Sequence, residues 1–206
     1  MTVPDGRPAS GSPVVFVVDD DPAVRDSIAM LVRAEGLSAR TFDSARSFLA
    51  GWEHREESCV IIDLRLPDLS GLDLQKRLAA TADPPPVIFL TGFGTVPSAV
   101  RALKAGAMDF LEKPFEPGAL LALVHEALAR DRKRRSELRR LGTLTRRERE
   151  ILENVAQGGT NKVIAANLGI SVRTVELHRA RGMRKLEVRS VAELVPLMHR
   201  NRIEAT

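Results

Sequence analysis

The sequence predicts an α/β domain with a doubly wound parallel sheet, followed by a small all-α domain. Short apolar runs alternate five times with amphipathic segments up to about residue 126, whereas only short helical segments follow residue 142. Charge divides the chain in the same region, because residues 1–130 hold 13 Lys or Arg against 18 Asp or Glu, and residues 131–206 hold 18 against 9. We therefore expect a flexible tail over 1–12, an α/β domain over 13–126, a helical linker over 127–142 and a helical domain over 143–206.

The first domain begins with a fully apolar strand at Val14–Val18. Three aspartates end it, and Pro22 then favours the first turn of a helix that Gly36 stops. A weaker strand follows at 38–42, and Asp43 or Ser44 caps a short helix after it. The remaining predicted elements are strands at 59–63, 87–91 and after residue 106, and helices at 71–80, at 96–105 and from about residue 116. Apolar strands that alternate with helices indicate a parallel sheet covered on both sides.

Polar side chains follow the predicted strands at the carboxyl edge, where such sheets bind ligands. These are Asp19, Asp20, Asp63, Thr91 and Lys113. Crowded carboxylates raise one another's pKa unless a cation neutralises them, and hard oxygen ligands suit Mg²⁺, which readily shares its shell with a phosphate. Each residue alone could instead cap a helix or end a strand. Five such residues at one edge favour a site for Mg²⁺ and phosphate.

Short helices fill the second domain. Thr145 and Glu148 have the spacing of a capping box for the first of them. Gly169 ends the next helix, and Ser171 caps a third helix whose outer face is basic. Two short helices joined by a glycine turn are typical of a helix-turn-helix, whose second helix enters the major groove of DNA. A helical bundle without a DNA role shares this pattern and remains the alternative.

Cysteine content and hydropathy indicate the cellular compartment in which the protein is found. Cys59 is the only cysteine, so no intramolecular disulfide forms and a reducing compartment is expected. The stretch 1–13 lacks the charged and apolar order of a signal peptide, and no apolar run is long enough to cross a bilayer. We expect a cytoplasmic protein without a membrane partner. The basic segment 127–141 is interpreted as a solvated helical linker, with direct DNA contact as the alternative.

The motifs VVDDD, IIDLRLPDLSG, LTG and FLEKPF resemble the receiver domain of two-component response regulators. The resemblance implies a flavodoxin-like fold in which Asp63 accepts a phosphoryl group from a sensor histidine kinase. It implies further that Asp20 and Asp63 bind Mg²⁺ together with the backbone carbonyl of Arg65, while Asp19 contacts the ion through water. Asp21 is expected on the surface.

Three residues complete the site that the resemblance implies. Lys113 lies opposite the metal and helps to neutralise the phosphoryl group. The hydroxyl of Thr91 bonds a phosphoryl oxygen, and the ring of Phe110 moves into the space that the Thr91 loop vacates. Plain core packing is the alternative for Phe110. Such a domain assists its own phosphorylation without being an enzyme in the usual sense.

The second half resembles the LuxR-type DNA-binding domain through LTRREREIL, the pair Asn161–Lys162 and SVRTVELHRARGMRKL, and the domain order resembles the FixJ-like branch of the NarL/FixJ family. By position, the resemblance assigns base edges to Glu176, Leu177 and Ala180, and phosphates to Lys162, Thr174, His178 and Arg179. Glu176 either accepts from cytosine or holds a neighbouring arginine. A fourth helix at 191–199 would pair two domains on DNA.

These features predict a transcription regulator that phosphorylation activates. Its implied partners are double-stranded promoter DNA, RNA polymerase and, when phosphorylated, a second copy of the chain; before phosphorylation the receiver either covers the DNA-binding half or keeps it monomeric. Two alternatives from other classes remain. A Mg²⁺-dependent aspartyl phosphatase of the haloacid-dehalogenase type requires a second aspartate two residues after the nucleophile, where Arg65 stands. An interaction module of the same fold without phosphorylation would not need Asp63 and Lys113.

Overall fold

The computed structural model describes residues 13–52, 57–81, 83–92 and 106–203. The chain divides into two compact units, Met1–Arg132 and Lys133–Thr206, and each unit has its own hydrophobic core. The predicted tail at 1–12 and the whole of the predicted helix at 96–105 lie outside the described residues. The division between the units falls inside the segment predicted as a linker.

A parallel sheet forms the centre of the first unit. Its described strands are β1 (Val14–Val18), β2 (Ser38–Phe42), β3 (Ser58–Asp63), β4 (Val87–Thr91) and β5 (Asp109–Glu112). They lie in the order β2-β1-β3-β4-β5, and every neighbouring pair is parallel. The winding direction therefore reverses after β2, which confirms the predicted doubly wound, flavodoxin-like topology.

Three of the described helices that surround the sheet begin at side-chain caps. In the described ranges the surrounding helices are α1 (Pro22–Ala34), α2 (Ala45–Gly51), α3 (Gly71–Ala79) and α4 (Pro117–Gly142), of which α4 ends in the second unit. Asp21 is exposed, as expected, and it caps α1 by accepting a hydrogen bond from Ala23 N at 2.9 Å. Ser44, not Asp43, caps α2 by accepting from Ser47 N at 3.2 Å.

Alternate strand residues pack into two layers on opposite faces of the sheet. Phe16 and Phe89 join a cluster with Phe48 of α2, whereas Val15 and Cys59 join a cluster with side chains of α1 and α4. Both faces are covered, which explains why the strands show no alternation of polar and apolar residues. Burial raises the pKa of the Cys59 thiol, and the negative charge of nearby Asp131 adds to the rise.

The regular elements in the described residues of the second unit are all helices, as predicted. After the end of α4 the unit contains α5 (Arg146–Ala156), α6 (Asn161–Leu168), α7 (Val172–Leu186) and α8 (Val191–Ile203). The predicted capping box is present, since Thr145 N donates to Glu148 Oε2 at 2.9 Å and Glu148 N donates to Thr145 Oγ1 at 3.2 Å. Gly169 ends α6 in the left-handed conformation with φ of 64°. α8 extends beyond the predicted end at residue 199.

Candidate functional site

The carboxyl ends of β1 and β3 bring three carboxylates together. Asp19 and Asp20 directly follow β1, and Asp63 is the last residue of β3. One carboxylate oxygen from each of the three lies within 4.8 Å of the others. Asp19 and Asp63 are buried, whereas Asp20 is exposed. The structure therefore assembles the predicted acidic edge, and its carboxylate oxygens fit a hard divalent cation.

Lys113 follows β5 and joins the carboxylates through its ammonium group. Its Nζ donates to Asp19 Oδ2 at 2.6 Å and to Asp63 Oδ2 at 2.5 Å. Burial alone would lower the pKa of Lys113, but the hydrogen bonds to Asp19 and Asp63 and the negative charges of both carboxylates together raise it. Burial also raises the pKa of the Asp19 carboxyl, and the hydrogen bond from Lys113 opposes that rise. Lys113 is therefore charged at neutral pH and offsets part of the negative charge of the site.

Backbone amides and one arginine hold the two buried aspartates in place. Asp63 Oδ1 accepts from Arg65 N at 2.7 Å, and Asp19 Oδ1 accepts from Asp21 N at 3.0 Å. Arg25 Nη1 donates to the backbone O of Asp19 at 2.7 Å. The sequence did not identify Arg25, because a bond to a backbone carbonyl requires no particular residue type at the acceptor position. The carbonyl of Arg65 as a metal ligand stays a prediction.

Gly71 is the last residue of the motif IIDLRLPDLSG, and the packing around it explains why glycine stands there. It begins α3, and a Cβ atom at this position would overlap the backbone O of Asp63 and lie 3.1 Å from Leu64 Cα. Gly71 N donates to Leu64 O at 3.1 Å. Only a residue without a side chain lets the first turn of α3 lie this close to the end of β3.

Thr91 and Phe110 lie on the neighbouring strands β4 and β5. Thr91 is buried at the end of β4, and its backbone O accepts from Lys113 N at 2.7 Å, which brings it to the site. Phe110 lies opposite Phe89 in the sheet register and packs, half-buried, against the cluster that contains Phe89. Core packing of Phe110 is thus observed, while its role in a switch stays a prediction. Residues 93–105 lie outside the described ranges.

The residues predicted to contact DNA lie on α6 and α7. The exposed residues are Lys162, Glu176, Leu177 and Ala180. The half-buried residues are Thr174, His178 and Arg179. Arg179 Nη1 donates to Asn161 Oδ1 at 3.1 Å, which joins the middle of α7 to the start of α6. Glu176 forms no salt bridge with a described residue, and both of its predicted roles stay predictions.

Arginines of the basic segment in α4 make contacts inside their own units. Arg132 donates twice to the carboxylate of Glu57, and both distances are 2.8 Å. In the second unit, Arg140 Nη1 donates to Glu187 Oε2 at 2.9 Å. These two guanidinium groups have carboxylate partners, and both the linker interpretation of the segment and its alternative, direct DNA contact, stay predictions.

Two family models match the chain. The model described as "Response regulator receiver domain" matches residues 15–125, and the model described as "Bacterial regulatory proteins, luxR family" matches residues 142–198. The transcriptional regulatory protein FixJ of Azorhizobium caulinodans is 45% identical over 188 residues, which cover 88% of this chain and 89% of that protein. The chain belongs to the NarL/FixJ family of response regulators.

Further relatives and solved structures agree with this family. Nodulation protein W of Bradyrhizobium diazoefficiens is 44% identical over 194 residues, which cover 91% of this chain and 86% of that protein. The structure of the response regulator StyR has a TM-score of 0.59 at 41% identity and covers 92% of this chain and 100% of that chain. Full-length FixJ from B. japonicum has a TM-score of 0.57 at 39% identity, with coverages of 94% and 99%.

A FixJ-like response regulator with these two domains regulates transcription in a phosphorylation-dependent manner. Its partners are a histidine kinase and DNA. Membership of this family goes against the phosphatase alternative, because its members are transcription regulators and not enzymes of the classical kind. None of the helices in the described ranges combines the length and apolar composition needed to cross a membrane.

Proposed function

We propose that Asp63 is the residue that a histidine kinase phosphorylates in this NarL/FixJ regulator. The observation that carries the proposal is the environment of its carboxylate, which accepts from Lys113 on one oxygen and from the amide of Arg65 on the other. The side chain of Asp63 is 12% exposed, whereas that of Asp19 is fully buried. Of the two carboxylates that Lys113 contacts, Asp63 is therefore the one that a phosphodonor reaches.

In the proposed reaction, a carboxylate oxygen of Asp63 attacks the phosphorus of a phosphohistidine. The P–N bond breaks, and the histidine nitrogen takes the electron pair. Phosphoryl transfer depends mainly on positioning and charge neutralisation, so Lys113 contributes by meeting the phosphoryl oxygens with a charge that is already in place. Asp19 holds Lys113 in this position through the 2.6 Å hydrogen bond.

The carboxylates of Asp20 and Asp63 and the backbone carbonyl of Arg65 would hold Mg²⁺, with Asp19 contacting it through water. When bound, Mg²⁺ supplies positive charge that neutralises the phosphoryl oxygens. Of the three carboxylates only that of Asp20 is exposed, so the site reaches solvent on its side, and this suits an ion that keeps several of its waters.

The phosphoryl group then acts on the switch residues. The hydroxyl of Thr91 bonds a phosphoryl oxygen, and the ring of Phe110 moves into the space that is vacated. The hydrogen bond between Lys113 N and Thr91 O supports this step, because it ties the end of β4 to the turn that follows β5. A displacement of one of these two segments therefore displaces the other.

The altered receiver pairs with a second phosphorylated copy in the cytoplasm and delivers two DNA-binding units to a two-fold promoter site. RNA polymerase is the further partner that we propose. The base edges are contacted by Glu176, Leu177 and Ala180, and the phosphates by Lys162, Thr174, His178 and Arg179. The exposure of Lys162 and of the base-reading residues supports this division of roles.

The test uses the full-length protein with radiolabelled acetyl phosphate in the presence of Mg²⁺. Asp63→Asn should abolish stable labelling and the labelling-dependent gain in promoter binding. Asparagine keeps the size of the aspartate side chain but lacks the nucleophilic carboxylate. Asp26→Asn, an exposed carboxylate of α1, is the matched control and should label like the wild type. Unchanged labelling of the Asp63→Asn protein would place the phosphorylated residue elsewhere.

A further inference from the structure

The exposed face of α7 has an apolar centre between two positive ends. Residues three or four positions apart share one face of a helix. The central line of the exposed face of α7 consists of Arg173, Leu177, Ala180 and Arg184, all of them exposed. Val175 and Gly182 point to the opposite side and are buried. The part of α7 that faces outward most directly therefore carries no hydrogen-bonding side chain at its middle.

Only a few large apolar side chains are exposed in the described part of the chain. The four such residues are Met30, Val163, Val172 and Leu177. Three of the four lie on α6 and α7, the helices that carry the predicted DNA contacts. Single exposed apolar side chains are common on protein surfaces. Their concentration on these two helices, where Leu177 is 48% exposed, indicates a surface that meets an apolar group.

The chemistry of the major groove identifies that group. Donors and acceptors cover most base edges there, and the 5-methyl group of thymine is the apolar exception. Leu177 can neither donate nor accept a hydrogen bond, whereas Arg173 and Arg184 can bond phosphates or guanine on either side of it. The small side chain of Ala180 lets the base pair approach the helix closely.

We propose that the centre of α7 recognises thymine through its 5-methyl group, and that Leu177 is the residue that contacts the methyl. This inference rests on the proposed DNA contact of α7 and names the chemical group that the contact selects. Glu176 and the flanking arginines then set the neighbouring positions of the site, while thymine is required opposite Leu177.

The experiment first selects binding sites for the full-length phosphorylated protein from a random-sequence duplex library. Each thymine of the selected site is then replaced by deoxyuridine, which pairs identically but lacks the methyl group. At one thymine of each half-site, the replacement should weaken binding about fourfold, the effect of removing one buried methyl group. In Leu177→Ala, duplexes with thymine and deoxyuridine should bind equally, whereas Met30→Ala, which truncates an exposed apolar side chain of α1, should keep the fourfold preference.

Three measurements separate the outcomes. Binding of a random duplex should be equal for wild type and Leu177→Ala, because Leu177 carries no charge and its truncation leaves phosphate contacts intact. The inference is overturned if no thymine is sensitive to loss of its methyl group, or if Leu177→Ala keeps the preference for thymine. A library from which no sequence is enriched would overturn both this inference and the sequence-specific DNA binding on which it rests.

Discussion

The contact between Gly71 and Asp63 shows how one missing side chain sets the geometry of the acidic site. The backbone O of Asp63 occupies the place where a Cβ atom at position 71 would lie, and Ile62 Cγ2 and Leu64 Cα are 3.1 Å from that place. These neighbours are backbone atoms or parts of the buried strand β3, so they cannot rotate away. A methyl group at position 71 must therefore push α3 and the end of β3 apart.

We predict that Gly71→Ala destabilises the first unit by about 1–3 kcal/mol, the usual cost of overpacking, and slows phosphorylation of the chain. Urea unfolding followed by the fluorescence of Trp52, the single tryptophan, measures the stability of this unit specifically. Gly118→Ala is the matched control, because nothing lies within 4 Å of a Cβ atom there and alanine favours the helix. A Gly71→Ala protein as stable as this control would contradict the packing explanation.

Asp131 and Arg132 are adjacent in sequence but hold α4 with different strength. The carboxylate of Asp131 is buried and accepts from Ser58 N at 3.0 Å, at the start of β3. The Arg132 side chain, which pairs with Glu57, is 65% exposed. Loss of a buried acceptor leaves an amide unsatisfied, whereas an exposed ion pair contributes little in water.

We therefore predict that Asp131→Ala lowers the free energy of unfolding of the first unit by about 1–3 kcal/mol. Arg132→Ala, changed one position further along the same helix, should cost less than about 1 kcal/mol. Trp52 fluorescence during urea unfolding measures both. Equal losses in the two variants would show that burial of the Asp131 carboxylate does not determine its contribution.

In the second unit, α5 begins at a capping box whose glutamate also reaches another helix. Glu148 closes the capping box with Thr145 and also accepts from Lys185 Nζ of α7 at 2.6 Å. The hydrogen bond from Lys185 holds the pKa of the Glu148 carboxyl below its usual value, partly opposed by burial, and the bonds with Thr145 lower it further. One carboxylate thus ends one helix and fastens it to another.

This lowered pKa makes the second unit sensitive to acid. The contribution of Glu148 to stability is complete above its unfolded pKa, near 4.5, and is lost as the pH falls through the lower folded pKa. Calorimetry of the full chain should show that Glu148→Gln removes about 1–2 kcal/mol at neutral pH and weakens the acid dependence of the second unit. The exposed Glu153→Gln should change neither quantity.

Element by element, local patterns predicted the five described strands and the caps of α5 and α7 correctly. Val14–Val18 and Val87–Thr91 match their predicted bounds because continuous apolar runs end sharply at polar residues. The acidic edge followed from the same ends. The bonds of Arg25 and Asp131 were not predicted, since both depend on where backbone groups of other segments come to lie, in one case 73 positions away. Such long-range contacts leave no local signal in a single sequence.

For the molecule as a whole, the opposite charges of its two halves decide how it meets DNA. The excess of Lys and Arg after residue 130 attracts the phosphate backbone, whereas the acidic first half does not. DNA affinity should therefore fall steeply with salt. Lys162→Ala should weaken binding to all sequences alike and reduce the slope of log affinity against log salt by about 1.

Lys76→Ala removes the same charge from the acidic half and is the control for that measurement. Lys76 is exposed on α3, where it pairs with Asp73 at 2.8 Å, and its loss should leave the salt slope unchanged. A loss of affinity in Lys162→Ala that is confined to one promoter sequence would instead make Lys162 a reader of bases.

Cys59, in the middle of the sheet, is a built-in probe for opening of the receiver core. The thiolate is the form of cysteine that attacks alkylating reagents, and burial both blocks access to this sulfur and raises the pKa of its thiol. Modification must therefore wait until β3 separates from its neighbours, so the alkylation rate reports how often the receiver core opens. Cysteines introduced on the surface for fluorescent labels would meanwhile react at their own positions, without any need to replace the native one.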